Sequence, residues 1–130
     1  MKKGFTLVEL LAVIVILAII ALIATPVVIN IINDSGKSSK LRSAEMYLDA
    51  VEQAVLRENI SAVGDFIPKQ CDVVERGNLN CDGNLITVEV DGEVPNSGTI
   101  SFDESSILNI SLVYDTDTIV MNENGNLDYQ

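Results

Sequence analysis

From Phe5 to Ala24 the chain is apolar at every position except Thr6 and Glu9. A helix rises about 1.5 Å per residue, so these 20 residues reach across roughly 30 Å, the thickness of a bilayer's hydrocarbon core. The pattern then changes twice. Pro26 has no N–H to give the Leu22 carbonyl and its ring crowds that turn, which predicts a kink. The stretch "NDSGKSSK", residues 33–40, gathers turn-forming residues around Gly36 and reads as a hinge or a frayed turn. Beyond it Leu41, Ala44, Leu48, Val51 and Val55 recur at spacings of three and four. That spacing puts them on one face of an amphipathic helix from about Ser38 to Ala62, with Glu45, Asp49, Glu52 and Glu58 mostly off the stripe.

After Phe66 the period falls to two. "LITVEV" alternates, with Ile86, Val88 and Val90 on one face, and Asp91-Gly92 comes next as a turn signal. "ILNISLVYD" groups Leu108, Ile110, Leu112 and Tyr114, and the short loop Asp115-Thr116-Asp117 precedes "TIVM". Pro68 and Pro95 belong in loops or at strand ends. A long helix and then short antiparallel strands, with no βαβ alternation, predict an α+β fold. Its segments are residues 1–4 ahead of the apolar run, the apolar helix 5–32, a hinge and amphipathic helix 33–65, and a β-rich head 66–130.

Composition narrows the chemistry. The chain of 130 residues has 8 Lys and Arg against 19 Asp and Glu, a formal −11. Lys2 and Lys3 precede the apolar run, Lys37, Lys40 and Arg42 come after it, and the remainder is strongly acidic. Such a head lacks the clustered cations and stacking aromatics of a nucleic-acid groove, so direct nucleic-acid binding is not expected. With no His, imidazole base catalysis and His-metal chemistry are excluded. There is no phosphate-binding glycine loop and no activated nucleophile, so neither an enzyme nor a cofactor is expected. Cys71 and Cys81 are the wrong inventory for structural zinc and fit a disulfide formed in an oxidising compartment. Its small loop would stabilise a domain of this size by roughly 2–3 kcal/mol.

Glu9 is the anomaly. A carboxylate at the centre of a membrane helix costs on the order of 2.5–3.5 kcal/mol, less near the edge. A cleaved signal peptide explains Lys2 and Lys3, but no Ala-x-Ala site lies after the run and Glu9 interrupts the apolar region. An ordinary membrane anchor explains the length and, through the two lysines, an N-terminus inside the cell. It leaves Glu9 unexplained.

The order Lys2-Lys3-Gly4-Phe5-Thr6-Leu7-Val8-Glu9-Leu10 closely resembles the N-terminus of type IV prepilins and the related pseudopilins, over about the first 30 residues. The resemblance implies cleavage by prepilin peptidase between Gly4 and Phe5 and methylation of the new Phe5 terminus. Residues 1–4 are then a leader, and the mature chain keeps 6 basic against 19 acidic side chains, a formal −13. It implies that Glu9 meets the Phe5 amine of a neighbouring subunit as helices assemble, and that Pro26 marks where the stem curves. The implied partners are other copies or homologous pilins, the peptidase, an inner-membrane assembly platform and the bilayer. The implied location is the bacterial cytoplasmic membrane with the head outside, and then an extracytoplasmic filament. Pilus, type II secretion and DNA-uptake machines all fit, as does a minor subunit of one of them. Major pseudopilins carry a C-terminal calcium site, which makes Asp115 and Asp117 candidate ligands; their spacing matches no calcium-loop template and favours solvated turn residues. The reading from a different class is a tethered extracytoplasmic module whose head binds a ligand.

Overall fold

The computed structural model describes residues 3–61, 66–104 and 106–130. One helix, α1 (Leu7–Ser61), precedes seven strands: β1 (Gln70–Val73), β2 (Leu79–Cys81), β3 (Asn84–Ile86), β4 (Ser97–Asp103), β5 (Ser106–Tyr114), β6 (Asp117–Met121) and β7 (Leu127–Tyr129). The chain divides into two compact units, Met1–Lys37 and Ser38–Gln130, and the boundary falls inside α1.

In the first unit α1 is apolar on all sides. Its large side chains from Phe5 to Ile32 are all between 48% and 93% exposed. The helix continues through Pro26, and beside the lost Leu22 acceptor bond the Thr25 hydroxyl donates to the Ala21 carbonyl at 2.6 Å. Residues 33–40, where the pattern suggests a hinge or frayed turn, are also helical. Their intrinsic preference opposes this: Asn, Asp and Ser each cost up to about 0.7 kcal/mol relative to Ala and Gly36 about 1 kcal/mol.

In the second unit the helix packs one face on the sheet. Ala44, Leu48, Val51 and Val55 are buried and Leu41 is half-buried, as the three-and-four spacing requires, and Tyr47 and Ala54 join them. Ala62, the expected helix end, lies outside the described residues. The sheet is wholly antiparallel in the order β3-β2-β1-β4-β5-β6-β7. Its inner face adds Leu79, Ile100, Leu112 and Ile119, all fully buried, so the core is mostly aliphatic, with Tyr47, Tyr114, Phe102 and the two cysteines among it. Helix and antiparallel sheet together make an α+β fold.

Two details differ from the alternation pattern. The strand expected over "LITVEV" ends at Ile86; Val88 is still buried, but its N–H goes to the Asn78 side-chain oxygen at 3.2 Å instead of to a strand. Leu108 does not share the inward face of Ile110, Leu112 and Tyr114. Ser101 pairs with Asn109 and Phe102 with Ile107, so Leu108 is the extra residue of a bulge and is 62% exposed. The tight turn between β2 and β3 is Asp82-Gly83, with φ of 52° and 88°, the left-handed pair a two-residue hairpin needs. Opposite Leu112, Gly98 (φ 150°) has no room for a side chain, since a Cβ would collide with the Ser111 carbonyl oxygen.

Candidate functional site

Lys3 to Thr6 are not helical, so the Gly4–Phe5 peptide bond lies ahead of α1, and Phe5 is 93% exposed. Such backbone can enter a protease cleft without first unwinding. The helix then starts on a reciprocal cap. The Glu9 N–H donates to the Thr6 hydroxyl oxygen at 3.2 Å, while the Thr6 N–H and hydroxyl donate to Glu9 Oε2 at 2.9 and 3.1 Å. Thr6 is the cap residue and Glu9 stands three positions later, the capping-box arrangement that satisfies N–H groups a helix start otherwise leaves orphaned. The carboxylate thereby enters the apolar run already holding two donors. Thr6 is absent from the residues singled out by pattern, although Thr-x-x-Glu ahead of an apolar run is a readable signal.

A groove of about 530 Å³ lies against this first turn, lined by Phe5, Glu9, Leu10, Ala12 and Val13. Glu9 is its one ionisable group. The arrangement is an apolar helix surface with a single oriented carboxylate, four residues from where the implied new amine would lie.

The other expected site residues lie elsewhere. Pro26 stands within α1. Cys71 and Cys81 are directly opposed on β1 and β2, with Cα atoms 4.2 Å apart, and form a disulfide buried in the core. Asp115 and Asp117 flank the turn between β5 and β6. The Asp115 N–H donates to the Asn96 side-chain oxygen at 2.7 Å, and Asp117 accepts from Lys40 Nζ at 2.6 Å. Among the described residues no group of three or more acidic, Cys or His side chains is placed to hold a metal. Within the core the Tyr47 hydroxyl donates to the Gly77 carbonyl at 2.7 Å, and the Tyr114 hydroxyl has no partner among the described residues. Burial pushes both phenols well above their ordinary range.

Residues 1–25 match the prokaryotic N-terminal methylation motif. The chain carries the signature of type IV pilins and pseudopilins. The matched segment holds the exposed Gly4–Phe5 bond, the Thr6–Glu9 cap and the apolar half of α1 as far as Thr25. No curated protein and no solved structure matches the chain significantly. The motif indicates a pilin-like structural subunit that prepilin peptidase processes, and with the long apolar helix it marks a membrane-anchored protein.

Proposed function

We propose that the chain is cut between Gly4 and Phe5, methylated at Phe5, and polymerised through residues 5–32 into an extracytoplasmic filament, with the head outside the membrane. The observation that carries this reading is the state of the first unit: taken by itself, it presents large apolar side chains from Phe5 to Ile32 on all sides of its helix. Apolar surface of that extent must be covered, by lipid before assembly and by other subunits after it. Glu9 supplies the registry. The carboxylate is tolerable near the membrane edge, is held by Thr6, and pairs with the Phe5 ammonium of a neighbour as the helices come together.

Replacing Glu9 by Leu makes the energetics of anchoring and assembly diverge. Insertion is at least as good, because the one charge in the run is gone. Assembly fails or drops sharply, because the neighbour's amine loses its counter-charge on burial. In cells where Glu9→Leu is the only copy, a shear or secretion assay beside a fractionation blot should find processed, membrane-embedded monomer and few filaments. Normal filament yield would remove Glu9 from this role, and an unshortened intact mass of the wild-type protein would overturn the processing step.

A further inference from the structure

The sheet ends on two outer strands, β3 and β7, each with one neighbour among the described residues. They differ in what they leave open. In an antiparallel pair the closest Cα approach marks residues that exchange no hydrogen bonds, and Cys71 and Cys81 stand 4.2 Å apart. The Cys81 N–H and carbonyl are therefore turned toward Asn84 of β3, as the two-residue turn at Asp82-Gly83 also requires. One residue on, the Leu85 N–H and carbonyl point away from β2, to the open edge. On β7 the Tyr129 N–H is taken by the Asp128 carboxylate at 2.8 Å, a local device that blunts strand addition. On β3, Asn84, Leu85 and Ile86 include no charge and no proline, and the Leu85 side chain is 68% exposed beside its open backbone.

The chain that follows β3 keeps alternating in burial without joining a strand, and it lines a groove of about 560 Å³ with Val88, Glu89, Val90 and Asp91, together with Arg76 and Val94. We propose that β3 is a strand-addition site, and that its occupant is an extended segment of a partner protein with apolar residues at alternate positions and Lys or Arg at its ends. Main-chain bonds to Leu85 hold such a segment, and the valines of the groove receive an apolar side chain. Charge sets the ends. Asp82 lies at one end of β3 and Glu89 and Asp91 beyond the other, all exposed, against Arg76 in the groove. A second copy of this edge would bring the same three carboxylates up against these, which disfavours self-pairing.

The test uses the full-length chain in detergent micelles and a capped seven-residue peptide of alternating valine and threonine with lysine at both ends, and it does not depend on filament formation. Amide exchange is read by NMR. At about ten times its Kd the peptide should slow exchange of the Leu85 amide about tenfold and leave the amides of Leu127 and β5 unchanged. Leu85→Pro, which removes an N–H that β2 does not use, should preserve the β4 and β5 resonances and abolish binding. A peptide ending in glutamate should bind at least about tenfold more weakly, and Glu89→Lys with Asp91→Lys should remove that preference. No saturation up to about 1 mM peptide, saturation without slowing at Leu85, equal binding of the two peptides, or undiminished binding to Leu85→Pro would overturn the site. Protection of Leu85 that grows with protein concentration and needs no peptide would give the edge to a second copy and overturn the proposed partner.

Discussion

The two parts of α1 on either side of the unit boundary have opposite surroundings. Up to Ile32 its large apolar side chains are exposed; from Ala44 to Val55 six residues are buried against the sheet. The difference lies in arrangement more than in hydrophobicity. Apolar residues at three-and-four spacing present one stripe, and one sheet is enough to cover it. Apolar residues on all sides need an environment that is apolar on all sides, which a head of this size does not provide. The first half therefore needs an apolar environment that its own residues do not make, and the second packs on its own core.

The sharpest way to break that comparison is the same truncation in each half. Ile100→Ala, at a fully buried core position, should destabilise the second unit by about 2–5 kcal/mol, whereas Ile16→Ala should change it by less than about 0.5 kcal/mol. Denaturant midpoints in detergent measure both; equal effects would show that the halves are not energetically separate. Next, replacing both Cys71 and Cys81 by Ala should cost about 2–3 kcal/mol in the second unit, from the loop the bridge closes, and leave the stem's helicity unchanged by circular dichroism.

The third prediction concerns pH, since all three tyrosines lie in the second unit. Tyr47 and Tyr114 have raised pKa values because burial disfavours the phenolate. Below about pH 10 both folded and unfolded states hold these protons and stability is flat; above it the unfolded chain releases them first, so stability falls. The loss for two such groups approaches about 2.7 kcal/mol per pH unit, seen as a falling melting temperature between about pH 10 and 11. Tyr47→Phe with Tyr114→Phe is the finest comparison. Losing the bond to the Gly77 carbonyl should cost about 1 kcal/mol, while removing the Tyr114 hydroxyl, which has no partner among the described residues, should be neutral or stabilising. Thermal melts of the two variants decide the sign.

Much of the candidate site was legible because it is local. Gly4, Phe5 and Glu9 lie within a single short stretch, and the Thr6–Glu9 cap needs only a helix start to form. The cap is missed when Glu9 is taken only as a charge in search of a cation, because a backbone N–H three residues back also serves it. The strands were harder. Period two tells which side a residue faces, and it placed Ile86, Val88, Ile110, Leu112 and Tyr114 inward, yet it is silent on pairing. Val88 turns inward without a strand partner, and the bulge at Leu108 reverses the alternation within one strand.

By itself the sequence determined the processing motif, the extent of the apolar run, the helix face that would be buried and the helix-then-strands order, because each depends on residues within a few turns of one another. Tertiary structure decided that Cys71 lies opposite Cys81 and that Lys40 reaches an aspartate 77 positions away. Those outcomes require the sheet order and register, which arise when distant strands compete for the same backbone hydrogen bonds and the same core volume, and no local pattern encodes that competition.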